Sequence, residues 1–146
     1  MVLQAALIVG AVAFVLAGRQ EEPDYRAEAT VFVDTTALGV DPGSEAATVR
    51  FTALARDAQS PAVLASASAR LGTVSEAELA ASVSVTANSQ DRTMRFTAVS
   101  ADPELPVPMA NAVAEAFVAE LGAERSARLQ EQLAGVNAQL VEDEAA

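Results

Sequence analysis

The sequence predicts an α+β fold: an N-terminal transmembrane helix, a small antiparallel or mixed β-sheet packed with helices, and a long C-terminal helix with coiled-coil character. Three observations lead to this prediction. An uncharged apolar run opens the chain, three short segments alternate apolar and polar residues, and an apolar stripe runs along its last part. We therefore divide the chain into a membrane helix (1–19), an α/β domain (20–108) and a long projecting helix (109–146) that packs on the domain at its start.

The apolar run occupies residues 2–18, "VLQAALIVGAVAFVLAG", and its single polar side chain is Gln4. Seventeen residues give roughly 25 Å of helix, near the short limit for crossing a bilayer core. A cleaved signal sequence and a buried core helix are the alternatives, and both stay open. The chain has no basic flank before the run, so charge does not set its orientation. Pro23 then ends the helix.

The α/β domain is predicted to begin with a strand over residues 25–34, because apolar and polar residues alternate there. A loop follows, punctuated by Asp-Pro-Gly at 41–43. Helices are then expected over 45–58, and from Pro61, with Ser60 as its cap, to Gly72. Ser75 and Glu78 form a capping box that starts a helix of about two turns.

Two further segments, 82–87 and 93–101, alternate in the same way and are separated by the polar loop "NSQDR". The apolar residues of the first segment occur at positions equivalent to those of the second. We expect an antiparallel hairpin whose two strands bury the same face. The matched residues are Val83, Val85 and Ala87 on the first strand and Met94, Phe96 and Ala98 on the second.

The long C-terminal helix carries two apolar stripes separated by Arg125. The first steps by four residues and predicts packing on the domain. The second steps by four, three and four, which is heptad-like and indicates a partner helix. Because no second long helix is predicted to cover it, we assign the second stripe to oligomerisation, with Asn111 as a polar register residue. The first stripe comprises Met109, Val113, Phe117 and Leu121, and the second Leu129, Leu133, Val136 and Leu140.

The composition excludes several classes of partner. The 146 residues carry a net charge of −11, and all nine basic residues are arginines. An acidic surface without basic clusters opposes binding to nucleic acid and to anionic lipid. The sequence also contains no Cys, which fits an extracytoplasmic domain without disulfides and many cytosolic proteins as well.

The same composition excludes several chemistries. Without His, Cys or Lys there is no Ser-His-Asp triad, thiol nucleophile, Schiff-base lysine or phosphate-loop lysine. Carboxylate chemistry remains, either a glycosidase pair or an oxygen-ligand cation site. Two acidic groups, Glu76/Glu78 and Glu21/Glu22/Asp24, are instead expected at a helix start and beside the membrane. We assign no catalytic, cofactor-binding or metal-binding residue.

Three other polar residues are candidates for ligand binding. Asp102, before Pro103, is expected to cap a turn rather than to bind a ligand. Arg92 and Arg95 flank the hairpin loop and could meet an anionic polysaccharide, although a solvated strand face is the expected structure.

Several phrases, in this order, resemble the N-terminal region of the polysaccharide chain-length determinant (Wzz-type) family, the polysaccharide co-polymerases, which includes capsular tyrosine-kinase adaptor subunits. They are the apolar run followed by Pro23 and "YRAEATVFV", then "LARDAQSPAVLASASARLG", then "ELAASVSVTANSQDRTMRFTAVSADPELPVPMANAVAEAFVAEL". The resemblance covers roughly residues 2–125. The chain departs from the family pattern because it has no second hydrophobic segment, kinase domain or tyrosine-rich tail, and has Pro106 and Pro108 where relatives continue a helix. The missing segment predicts a truncated or split protein.

The resemblance implies a non-enzymatic scaffold, anchored in the cytoplasmic membrane with its main domain outside, that sets the length or export of O-antigen, capsule or exopolysaccharide chains. The implied partners are further copies of the chain, polymerase or export proteins and a cytoplasmic tyrosine kinase, with no cofactor. Two alternatives stay open. One is a secreted or tethered carbohydrate-active or carbohydrate-binding domain that uses carboxylates, and the other is a membrane-tethered ring-forming adaptor unrelated to sugars.

Overall fold

The protein combines one antiparallel sheet with helices, which confirms the predicted α+β class. A computed structural model describes residues 7–10 and 24–145, with side chains placed for 24–36 and 38–141. Along the chain the described elements are β1 (Leu7–Gly10), β2 (Tyr25–Phe32), α1 (Thr35–Leu38), α2 (Glu45–Asp57), α3 (Pro61–Leu71), α4 (Glu76–Ser82), β3 (Val83–Asn88), β4 (Thr93–Ser100) and α5 (Pro106–Ala145).

The sheet has the strand order β1-β2-β4-β3, and every pairing in it is antiparallel. The predicted hairpin is confirmed as β3 and β4, and the predicted first strand as β2. Phe96 lies at the centre of the register, between Ala29 on β2 and Val85 on β3. Side chains at this level share one face, so the period-2 pattern of the sequence correctly identified the buried side of all three strands.

Helices cover that buried face and complete the core. The first half of α5 lies over β2 and β4, α2 contacts β3, and α3 packs against α5. Alanines at 110, 112, 114 and 116 are all buried, so the backbone of α5 approaches its neighbours closely. The largest buried side chains of this core are Phe51, Phe96, Phe117, Leu79, Met94 and Met109.

The helix ends follow the predicted local chemistry. The Ser60 hydroxyl accepts a hydrogen bond from the amide of Val63 at 3.4 Å, and Gly72 ends α3 with φ of 70°. The Ser75 hydroxyl accepts from the amide of Glu78 at 3.2 Å, the forward half of the predicted capping box. These bonds satisfy amides that have no partner inside the helix.

Two boundaries differ from the sequence prediction. The predicted loop after β2 contains the one-turn helix α1, which Asp34 caps by accepting from the Thr36 amide at 3.0 Å. A single turn is too short to leave a periodic signal in the sequence. Helix α5 begins at Pro106 rather than at Met109. Proline has no backbone N–H, but the amides in the first turn of a helix have no partner within the helix, so the prolines at 106 and 108 do not prevent the helix from starting there.

The predicted transmembrane helix over 1–19 lies outside the described residues except at β1. There Leu7–Gly10 form an edge strand, with Leu7 opposite Val31 and Gly10 opposite Glu28, where the sequence predicted helix. Leu-Ile-Val is favourable in strands, and the edge of β2 offers backbone groups for pairing. Within 7–10 and 24–145, no helix combines the length and the apolar character needed to cross a membrane.

Candidate interaction surface

Helix α5 has 40 residues and is about 60 Å long at 1.5 Å per residue. Its first part, as far as the half-buried Leu121, packs on the sheet and on α3. From Gly122 to Val141 every residue is exposed. We call the backbone from 122 to 145 the arm. The arm is a solvated single helix over the part whose side chains are described.

The four residues predicted for oligomerisation form one exposed stripe along the arm, which we call the seam. Leu129, Leu133, Val136 and Leu140 are 51%, 63%, 53% and 59% exposed. At 100° per residue they fall within about 60° of arc. Large apolar side chains in a continuous exposed row are typical of an interaction surface.

The seam faces away from the domain. Val113 is at the middle of the buried face of α5 and is fully buried. The centre of the seam lies about 170° around the helix axis from Val113. A partner on the seam therefore approaches from the side opposite the sheet, where the domain of the same chain does not obstruct it.

The residues beside the seam are uncharged amides. In heptad terms the seam occupies the a and d positions, and the neighbouring e and g positions between its ends are neutral. Two acidic residues of the arm, Glu124 and Glu131, lie about 150° to 170° from the centre of the seam. The flanking amides are Gln130, Gln132, Asn137 and Gln139.

Asn111 lies apart from the seam. It is half-buried in the packed part of α5, about 27 Å before Leu129 and at the same angle around the helix. Its side-chain amide makes no hydrogen bond to the residues that the structure describes. The structure thus brings the four apolar residues of the candidate set together and places Asn111 on the same side of α5, five turns away.

Asp102 has the structural role predicted for it. Its carboxylate accepts a hydrogen bond from the Glu104 amide at 2.9 Å, and its own amide donates to the Ser100 hydroxyl at 3.1 Å. These bonds shape the turn between β4 and α5.

Arg95 belongs to a small network on the open face of the sheet. Its Nε lies 3.6 Å from Glu28, and Glu28 lies 3.8 Å from the Nε of Arg26. Sequence reasoning identified Arg95 but missed Glu28 and Arg26, although their two-residue spacing places both on one strand face. Arg92 lies in the hairpin loop with φ of 56°. The network is solvent-exposed and contributes little to stability.

The carboxylates whose side chains the structure describes are spread over the surface. Glu76 and Glu78 occupy the first turn of α4, as predicted, whereas Glu21 and Glu22 lie outside the described residues. Among the side chains at 24–36 and 38–141 no carboxylate is buried. The described part of the chain also contains no group of three acidic side chains placed to hold a metal ion.

One shallow depression of about 160 Å³ lies where the start of α3 meets α5. Its floor includes Val63, Phe117 and Leu121, and its rim carries the carboxylates of Asp57, Glu120 and Glu124. Only the apolar floor belongs to the core, so the depression is the outer end of the packing between α3 and α5.

Comparison of the chain with protein-family models, with curated proteins and with solved structures found no match. Its function is therefore inferred from its own residues.

Proposed function

We propose that this chain is a membrane-anchored scaffold, resembling the chain-length determinants, that organises or regulates the polymerisation and export of a polysaccharide such as O-antigen, capsule or exopolysaccharide. The observation that carries the proposal is the exposed seam on the arm, directed away from the folded domain. A row of four large apolar side chains is costly to leave in water unless another helix covers it.

The order of elements supports the same proposal. A strand, several helices, a hairpin and a long helix follow one another as the resemblance implies. In the proposal, the chain is anchored in the cytoplasmic membrane and the α/β domain lies outside. The acidic charge of the chain, −11, keeps such a domain soluble near an anionic surface without adhering to it.

The proposed mechanism is geometric. Copies of the chain associate through their seams and present their α/β domains to the polymerase or export proteins, with a cytoplasmic tyrosine kinase as a further partner. The number and spacing of the copies then set how the growing polymer is handled. No bond is made or broken by this chain in the proposed mechanism.

The test is genetic. In the organism that carries the gene, deletion is expected to change the length distribution of a surface polysaccharide, measured by gel electrophoresis. The unaltered gene is expected to restore the distribution, whereas Leu133→Asp is not. Val141→Asp is the matched control, because Val141 is equally exposed, at 66%, but lies about 110° from the centre of the seam.

An unchanged polysaccharide profile after deletion would refute the proposal. Glycosyltransferase and flippase genes beside the gene would support it, and their absence would favour an adaptor unrelated to sugars.

A further inference from the structure

The side of the sheet opposite the core carries polar side chains grouped around two arginines. Residues paired across neighbouring strands project to the same side of a sheet. Arg95 on β4 is paired with Thr30 on β2 and with Thr86 on β3. We call this side of β2, β4 and β3 the open face. Its uncharged polar side chains are Thr30, Ser84, Thr86, Asn88, Thr93 and Thr97.

The open face is positively charged although the chain as a whole is acidic. Its charged side chains are Arg26, Glu28 and Arg95, so two positive charges and one negative charge leave +1. The whole chain carries −11. Most of the molecule therefore repels an anionic ligand, and the open face is where such a ligand meets an attractive charge.

The two arginines have unused hydrogen-bonding capacity. The Nε atoms of Arg26 and Arg95 lie 3.8 Å and 3.6 Å from the two carboxylate oxygens of Glu28, which is too far for hydrogen bonds. Neither guanidinium group donates a hydrogen bond to the residues that the structure describes, and the two side chains are 59% and 58% exposed. Each planar group is therefore free to bind a carboxylate from solution through two parallel N–H bonds.

We propose that the open face binds an acidic polysaccharide, with Arg26 and Arg95 holding the carboxylates of its sugars. This rests on the proposed function in that the ligand is the polymer that the scaffold handles. The side chains of Thr30 and Thr86, on either side of Arg95, hydrogen-bond the sugar hydroxyls, since a hydroxyl group both donates and accepts.

Phe32 adds an apolar contact at one end of the open face. It follows Thr30 by two residues and lies about 7 Å further along β2 on the same side of the sheet. Phe32 is 44% exposed, so its ring is available to pack against the C–H groups of a sugar. The open face thus combines charge, hydroxyl groups and an aromatic ring, which are the contacts that a carboxylated sugar chain uses.

The same features disfavour a more highly charged polymer. A nucleic acid carries a phosphate at every nucleotide and requires a cluster of cations, whereas the open face has two arginines and the competing carboxylate of Glu28. Asp91 accepts a hydrogen bond from Asn88 at 2.7 Å and adds a negative charge at the hairpin end of the face. A sugar polymer with separated carboxylates and many hydroxyl groups fits this arrangement better.

Fluorescence anisotropy with the full chain in detergent tests the proposal. The probe is a labelled hyaluronan oligosaccharide, in which every second sugar carries a carboxylate, and labelled dextran is the neutral control. Hyaluronan is expected to bind and dextran is not, and the binding is expected to weaken as salt is added, because the arginines are exposed.

Substitution of the arginines is expected to weaken the binding. Arg95→Gln lowers the affinity for hyaluronan about threefold, and Arg26→Gln/Arg95→Gln lowers it about tenfold. Arg50→Gln is the matched control, since Arg50 is an exposed arginine on α2, outside the open face, and the affinity is expected to stay unchanged. Equal losses for Arg95→Gln and Arg50→Gln would contradict the assignment.

Glu28→Gln is expected to have the opposite effect. It removes the competing carboxylate, keeps the shape of the side chain, and raises the charge of the open face from +1 to +2. The affinity for hyaluronan rises about threefold. A damaged fold does not tighten binding, so this variant separates a role in binding from a role in structure, and weaker or unchanged binding would overturn the proposal.

Two further outcomes would overturn the proposal. One is hyaluronan binding no stronger than dextran binding. The other is polyadenylate RNA binding at least as tightly as hyaluronan with the same loss in Arg95→Gln, which would show that the open face recognises polyanions without regard to sugar.

Failure of this proposal is distinguishable from failure of the proposed function. Hyaluronan binding as described, together with an unchanged polysaccharide in the deletion strain, would overturn only the biological role. An altered polysaccharide in the deletion strain, together with no hyaluronan binding, would overturn only the open face as a binding site.

Discussion

Phe96 on β4 and Phe117 on α5 lie with their ring centroids 5.8 Å apart and their planes inclined by 47°. Both side chains are almost completely buried. This contact packs α5 against the centre of the sheet. Phe117 lies one turn before Leu121, which is the last residue of the helix that packs on the core. The direction in which the arm leaves the domain is therefore set at this pair.

Phe117→Ala is expected to lower the free energy of unfolding by about 3–5 kcal/mol, because it removes a buried ring and leaves a cavity against Phe96. Urea denaturation followed by circular dichroism measures the change. Leu129→Ala is the control and is expected to stay within about 0.5 kcal/mol, since Leu129 is exposed on the arm. Equal losses for the two variants would mean that α5 is not anchored at Phe117.

Leu133→Asp is expected to abolish self-association in detergent while leaving the thermal midpoint of the domain unchanged. A carboxylate in the middle of a paired seam would lose its hydration without gaining a partner, whereas on a free arm it remains in water. Analytical ultracentrifugation measures the mass. A strictly monomeric unaltered protein at high concentration, with no response to Leu133→Asp, would contradict the assignment of the seam.

Ser60→Ala is expected to destabilise the domain by about 1 kcal/mol, because the amide of Val63 loses its hydroxyl partner at the start of α3. Thermal or urea unfolding measures the loss. Ser66→Ala, in the interior of the same helix, is the matched control and is expected to be neutral or slightly stabilising, since Ala is the better helix former. Similar losses at both positions would show that the Ser60 cap contributes nothing of its own.

Gly72 and Gly135 are expected to respond oppositely to substitution by Ala. Gly72 ends α3 with φ of 70°, where a side chain costs about 1 kcal/mol. Gly135 is inside α5, and an added Cβ meets nothing within 4 Å, so Ala favours the helix by about 1 kcal/mol. Unfolding curves test the first change, and the helical signal at 222 nm tests the second. A gain in stability at Gly72 would disprove its role in ending the helix.

Local patterns in the sequence predicted most of the secondary structure. Alternation identified β2, β3 and β4 together with their buried faces, and Ser60, Gly72 and Ser75 identified helix ends. These predictions succeed because side-chain period and capping depend on residues only a few positions apart. The one-turn helix α1 escapes prediction because four residues carry too short a pattern. The predicted start of α5 at Met109 is late because the apolar stripe begins there, whereas the first helical turn contains Pro106 and Pro108.

The candidate interaction surface was likewise predicted only in part from the sequence. The four-three-four spacing alone places Leu129, Leu133, Val136 and Leu140 on one stripe, since helix geometry decides their angles around the axis. The spacing does not show that this stripe faces away from the sheet. That depends on where the packed stripe ends and on the residues that hold it.

The sequence by itself therefore determined strands β2 to β4, helices α2 to α5, their apolar faces and the existence of a second stripe on the last helix. Only the tertiary structure decided that β2 and β4 form the middle of the sheet, that α5 covers them, and that the arm leaves the domain after Leu121 with its seam in solvent. The physical reason is the distance along the chain over which the interactions act. Periodicity and caps depend on residues close in the sequence. Strand order and the direction of the arm depend on contacts between residues distant in the chain, such as Phe96 with Phe117.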